Sequence, residues 1–281
     1  MSPTAPAHGP STLTFTGVVR LPFHSLQLIN LTAPGWGLGD LDTESHICKH
    51  IAVKANVAVI DIAYRLVPEH PFPIGIQDSF AALQYLASPA SHPQFPTLDT
   101  TRISLGGVSA GGNIALILAH LARDHHLPLR LVAVGTPVID DISSYTTAQD
   151  SPFPSMQAME YAPTLNWARL KWFDQLKWRS LSADATLRQQ QMAEVKWYAN
   201  VLNAPDFTRL ARTVIYTAGC DPLRDEGEAY AQKLIEGGCE VTVRRFEGVP
   251  HPFMHMDKGM FLHRFLLLSM CVCVGMLTQG I

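Results

Sequence analysis

The chain has 281 residues, enough for one large domain with a buried core. Hydrophobic residues make up 47% and charged residues 16%, and the formal net charge is −3 with no basic block, which argues against nucleic acid as a partner. The five cysteines form no metal-like cluster, and an odd number without a signal peptide reads as reduced thiols in a cytoplasmic protein.

In chain order, residues 1–25 read as a divergent N-terminal tail, rich in Pro, Ser, Thr and Ala at its start. The domain then runs over residues 26–281. Leu26 to Leu31 is a predicted strand. Glu44 to Ala55 follows as a helix, with Ile47, His50, Ile51 and Lys54 at helical spacing. Val57 to Ala63 is a β-branched run of the kind found in buried parallel strands. Ile76 to Ala87 is helical. Arg102 to Val108 is a strand, and Gly111 to Arg123 the helix that leaves it. Leu129 to Gly135 and Thr213 to Ala218 are two more strands. Glu226 to Glu236 is a helix that stops at Gly237-Gly238, and Glu240 to Phe246 is a last strand. Strands alternating with helices imply βαβ units and a mostly parallel, twisted sheet with helices on both faces, an α/β fold.

Residues of about 140–205 break the rhythm. They contain no convincing strand and carry four of the five tryptophans, Trp167, Trp172, Trp178 and Trp197. Trp167, Leu170, Phe173 and Leu176 recur at helical spacing, with Lys171, Lys177 and Arg179 among them. A helical insertion between two core strands predicts a cap over the carboxyl ends of the strands, where open α/β sheets bind ligands. At the far end, residues 258–281 form a divergent apolar tail. Its run Phe265 to Leu277 is too short to span a bilayer and is expected to be a packed helix, so a membrane partner is not expected. Oligomeric state leaves no trace in the sequence.

The chemistry gathers at three strand ends. Gly107-Val108-Ser109-Ala110-Gly111 joins a strand to a helix, the setting of a nucleophile elbow. A serine hydroxyl needs a base, and the base needs an orienting acid. Asp221 follows the Thr213 to Ala218 strand, with Asp225 and Glu226 as rivals that would instead serve the start of a helix. His251 follows the Glu240 to Phe246 strand, with His255 as its nearest rival. The catalytic candidates are therefore Ser109, Asp221 and His251. No metal site and no cofactor is expected.

Three segments, Gly107-Val108-Ser109-Ala110-Gly111-Gly112-Asn113, Asp221-Pro222-Leu223-Arg224-Asp225-Glu226 and His251-Pro252-Phe253, resemble the hormone-sensitive-lipase family of carboxylesterases. So does the specific run Tyr64-Arg65-Leu66-Val67-Pro68-Glu69-His70-Pro71-Phe72-Pro73. The resemblance covers roughly Gly35 to Asp257. It implies an α/β-hydrolase fold with a helical cap, and ester hydrolysis through an acyl-enzyme, with a small-molecule ester as partner. The insertion resembles fungal members, some of which serve secondary-metabolite pathways.

The family carries His-Gly-Gly-Gly before an aromatic residue, and backbone N–H groups there help hold the oxyanion. The matching stretch here is Thr32-Ala33-Pro34-Gly35-Trp36. Proline has no N–H, so in the family register one donor is lost. Gly35 and Ala110 remain as the expected oxyanion donors. Two functional classes follow. One is a serine hydrolase acting on a small or medium acyl ester. The other is a ligand-binding protein on the same scaffold with little or no turnover.

Overall fold

A computed structural model describes residues 25–31, 34–88 and 98–256. The expected tail at 258–281 lies outside the described residues, as do residues 1–24 of the expected N-terminal tail and Thr32-Ala33 of the altered loop.

Chain order among the described residues is β1 (Ser25–Leu31), a short 3-10 turn (Pro34–Trp36), α1 (Ser45–Ala55), β2 (Ala58–Ile62), α2 (Ile74–Ala87), β3 (Leu98–Val108), α3 (Ala110–Asp124) and β4 (Leu129–Gly135). Then come α4 (Pro154–Ala158), α5 (Trp167–Lys177), α6 (Ala185–Glu194) and α7 (Lys196–Ala199), and finally β5 (Thr213–Cys220), α8 (Arg224–Glu236) and β6 (Val241–Pro250). The six strands form one sheet in the order β2-β1-β3-β4-β5-β6. Every pairing between neighbours is parallel.

Successive side chains of a strand point to opposite faces, so a sheet buried on both sides needs apolar residues at consecutive positions. β4 shows this. Val132 and Val134 join the core that also holds residues of α2, α3 and α8, whereas Leu131 and Ala133 join the core built on α1. In β1, Ile29 and Leu31 face the first core and Leu28 the second. Helices therefore cover both faces. α3 is buried along most of its length, from Ala110 through Ala122. Each large apolar side chain it removes from water contributes ~1.5–3 kcal/mol.

The strand ends differ from the sequence reading where irregular pairing hides the pattern. β6 extends to Pro250, four residues past Phe246, because the ladder with β5 skips register between Ala218 and Cys220. Gly248 there has a φ of 71°. The polar Glu247 and the glycine interrupt an alternation that would otherwise have marked the strand. β3 likewise starts at Leu98, ahead of a register shift against β1.

Between β4 and β5 the described chain is helical, with short 3-10 turns and no strand. α4 is tied to the start of α8: the Ser155 amide donates to Asp225 Oδ2 at 2.7 Å, and Ser155 Oγ donates to the Pro222 carbonyl at 2.8 Å. α5 lies against the Pro34–Trp36 turn. The Phe173 ring occupies the space where a Cβ on Gly35 would stand, with a ring carbon 1.9 Å from that position. Leu176 does the same at Gly37. The segment expected to form a cap thus packs on the loop beside the strand ends.

Candidate active site

β3 ends in a turn too tight for side chains at its glycines. A Cβ on Gly111 would stand 1.8 Å from the Leu31 carbonyl oxygen, and one on Gly107 would stand 2.4 Å from the Gly111 carbonyl carbon. The residue between them, Ser109, has φ 58° and ψ −118°, a conformation a non-glycine residue avoids unless its surroundings impose it. Three backbone bonds impose it. The Ser109 amide donates to the Gly135 carbonyl at 2.9 Å, and its carbonyl accepts from the amides of Asn113 at 3.0 Å and Val138 at 3.3 Å. The strained turn lifts the Ser109 side chain out at the carboxyl end of the sheet.

The other two predicted residues arrive at the same edge. Asp221 follows the last residue of β5, and His251 the last residue of β6. His251 Nε2 lies 3.0 Å from Ser109 Oγ, and His251 Nδ1 lies 2.9 Å from Asp221 Oδ2. The second oxygen of Asp221 accepts the Leu223 amide at 3.0 Å. Asp221 is fully buried and His251 nearly so. With Nδ1 donating to the carboxylate, the neutral ring keeps a lone pair on Nε2, facing the hydroxyl. That is the geometry in which a histidine takes a serine proton.

Of the three rivals, Asp225 and His255 make their contacts elsewhere. Asp225 accepts from Arg224 Nε at 2.7 Å and from the Ser155 amide, so it fastens α4 to α8. Burial pushes its carboxyl up, but those bonds outweigh burial and leave it below the usual carboxylate range. His255 places Nε2 3.3 Å from Glu44 Oε1.

Of the two expected oxyanion residues, Ala110 adjoins the serine in sequence and Gly35 lines the same cavity. Ala110 is the first residue of α3, so its amide has no acceptor within the helix and sits at the positive end of the helix dipole. Gly35 has φ 59° and ψ 27° and borders the same cavity as Ser109. Pro34 opens the turn and brings no N–H.

A cavity of about 530 Å³ opens over Ser109 and His251. Trp36, Val138, Leu165, Leu170, Phe173 and Leu223 give it largely apolar walls, several of them from the insertion. Thr164, also on the wall, has φ 69°, and its hydroxyl donates to the His251 carbonyl.

Sequence reasoning missed the buried charges around this cavity. Glu226 stands in the first turn of α8, as its position suggested, yet it is fully buried and accepts the Ile139 amide at 2.7 Å and the Asp140 amide at 3.3 Å. Burial, reinforced by the charge of Asp140, holds its carboxyl well above the usual range. Asp140 is raised by burial too, against the opposing pull of the Tyr145 hydroxyl and the Asp141 amide. Lys177 on α5 is buried beside Asp141 and Asp174. The run Asp221 to Glu226 offered a signal for Glu226. Nothing in the periodicity of α5 distinguished Lys177 from a solvated lysine.

Among the described residues, no group of histidines, cysteines and carboxylates could hold a metal ion, and no helix is long and apolar enough to cross a membrane.

A sequence profile described as "alpha/beta hydrolase fold" matches residues 29–255. An AB hydrolase superfamily protein of Schizosaccharomyces pombe is 32% identical over 243 residues, covering 82% of this chain and 65% of the relative. The carboxylic ester hydrolase LipN of Mycobacterium tuberculosis is 34% identical over 222 residues, covering 79% and 55%. An esterase of Pyrobaculum calidifontis superposes with a TM-score of 0.78 at 25% identity, covering 92% of this chain and 78% of that one. The chain spans 55% to 65% of the length of those two curated relatives.

Proposed function

Because the chain belongs to the α/β-hydrolase family, in its hormone-sensitive-lipase-like branch, we propose that it is a serine hydrolase cleaving a small or medium acyl ester through an acyl-enzyme. The observation that carries this is the unbroken chain of hydrogen bonds from Ser109 Oγ through His251 to Asp221, opening on a largely apolar cavity. Carboxylic ester hydrolases and esterases among the relatives support the same chemistry.

In this mechanism Ser109 Oγ attacks the ester carbonyl carbon as His251 Nε2 takes the hydroxyl proton. The carbonyl electron pair moves onto oxygen, where the amides of Ala110 and Gly35 donate to it. His251 then passes its proton to the leaving alkoxide, the C–O bond breaks, and Ser109 is left acylated. Water repeats the sequence with His251 as base and releases the acid. Asp221 keeps the imidazole in the tautomer that accepts at Nε2 and stabilises the imidazolium. The apolar walls favour the acyl chain. An ester of a secondary-metabolite route is the physiological substrate we infer, on the resemblance of the insertion to fungal members.

A second reading, a ligand-binding protein with slow turnover, is favoured by Pro34, which cannot donate to an oxyanion. One experiment separates the two. p-Nitrophenyl esters of graded chain length are turned over by wild type and by Ser109→Ala, with fluorophosphonate labelling in parallel. Rapid hydrolysis and labelling, both lost in Ser109→Ala, support the hydrolase. Tight binding of the esters without a burst of p-nitrophenolate supports the binding protein.

A further inference from the structure

We propose that Lys177 is a positioning residue for the oxyanion loop, its ammonium caged against Trp36 so that α5 fixes the backbone that carries Gly35. This presumes the oxyanion role of Gly35 proposed above. The Lys177 side chain is 3% exposed although it carries a charge. Its Nζ stands 5.0 Å from the ring centre of Trp36, 4.7 Å from that of Trp178 and 5.6 Å from that of Phe72. Carboxylate oxygens of Asp141 and Asp174 lie 3.5 and 3.8 Å away. Ring faces attract a desolvated cation, and the two carboxylates offset its burial.

The loop needs such a clamp. Gly35 and Trp36 are two successive left-handed residues, with φ 59° and 60°. Glycine adopts this freely; a bulky tryptophan does so only when its surroundings dictate it. The Trp36 carbonyl accepts the Val67 amide at 3.1 Å, which fixes one end of the residue. The indole Nε1 is buried and has no hydrogen-bond partner among the described residues. The ring is therefore held by packing and by the cation alone. Phe72 meets its edge at 6.2 Å between centres, and Lys177 meets its π-system. A methionine or leucine at 177 would fill the cage with less desolvation, so a lysine there is explained by what its charge holds. Phe72 and Val67 belong to the Tyr64 to Pro73 run, so that run is given a task as well: it forms the opposite jaw of the clamp.

The test uses Lys177→Met and Lys177→Arg in the full chain, with two readouts besides folding by circular dichroism. One is kcat and KM on a p-nitrophenyl ester. The other is affinity for a trifluoromethyl ketone, to which Ser109 Oγ adds while its proton passes to His251 and the ketone oxygen becomes an oxyanion. Lys177→Met should lower kcat roughly tenfold to hundredfold, the cost of a small misplacement of a catalytic group. Ketone affinity should fall in parallel, with KM within about twofold, since a plain packing defect would not single out the oxyanion. Lys177→Arg, which keeps a cation that stacks on rings, should restore both. If Lys177→Met does not fold, Trp36→Leu removes the same contact from the other side and should show the same parallel losses. Unchanged kcat and ketone affinity in a folded Lys177→Met or Trp36→Leu, or an Arg variant as impaired as Met, would overturn the proposal. Activity persisting in Ser109→Ala would instead overturn the hydrolase mechanism itself.

Discussion

Two carboxylates four residues apart, Asp221 and Asp225, allow a sharp test, because their surroundings predict opposite outcomes for the same change. In Asp221→Asn the Leu223 amide still needs an acceptor, so the new amide turns its oxygen to Leu223 and its NH2 to His251 Nδ1. Two donors cannot face each other at 2.9 Å. The imidazole must move its proton to Nε2, which then presents N–H to Ser109 in place of a lone pair. Loss of the base in this way is worth ~10⁴ in kcat, about 5 kcal/mol of barrier. Stability should change little, since the substitution is isosteric and removes a buried charge. Asp225→Asn behaves differently. Its two oxygens accept from Arg224 Nε and the Ser155 amide, and an amide can keep only one of these bonds. The cost should be ~1–2 kcal/mol of stability with kcat nearly intact, because α4 loosens while the Ser109–His251 pair is untouched. Stopped-flow release of p-nitrophenolate reads the first effect and thermal melting the second. Wild-type kcat in folded Asp221→Asn, or a collapse of kcat confined to Asp225→Asn, would refute the assignment of the acid.

Pro34→Gly restores a backbone N–H at the start of the Pro34–Trp36 turn, and kcat should rise by up to ~10²–10³ if that donor alone is missing; an unchanged or lower kcat in an enzyme acylated at Ser109 would end that explanation. Gly111→Ala drives a Cβ to 1.8 Å from the Leu31 carbonyl, so α3 must shift, and melting should reveal a loss of ~3 kcal/mol or more together with activity. His120 is buried between the Asp206 carbonyl and the Tyr230 hydroxyl, and burial, aided by Arg123, lowers its pKa from the ordinary 6.5 to about 4. The unfolded chain therefore takes up this proton first, so stability from His120 is full above about pH 6.5 and is lost on acidification towards 4, of order 3 kcal/mol in all. His120→Gln keeps both hydrogen bonds without titrating and should flatten that part of a urea-unfolding profile, whereas an unaltered slope would assign the proton uptake to another group.

The candidate site was readable from strand ends: Ser109 directly follows the predicted Arg102 to Val108 strand, whereas Asp221 and His251 lie three and five residues past the predicted ends of theirs, at Ala218 and Phe246, and stand directly after β5 and β6 as they fold. Irregular pairing was not legible. β6 continues through Glu247 and Gly248, where a skip in register removes the alternation that marks a strand. Buried charge was harder still. Asp174 and Lys177 lie on the inward face of α5, and their sequence positions look the same as those of a solvated pair. Only the third dimension brings Trp36 and Phe72, each more than a hundred residues earlier in the chain, to the lysine beside its sequence neighbour Trp178.

The helical segment between β4 and β5 touches the edge that carries the candidate triad at three separate places. Phe173 sits on Gly35, the Thr164 hydroxyl holds the His251 carbonyl, and Ser155 grips the turn that follows Asp221. Exchanging that segment for one from a relative should therefore retune the proposed chemistry itself. A chimera should show an altered turnover number even on an acetate ester too small to sense the reshaped cavity. On the proposed mechanism, selectivity and speed are not independent dials, and variants chosen for one should drift in the other unless the three anchoring contacts are carried across with the graft.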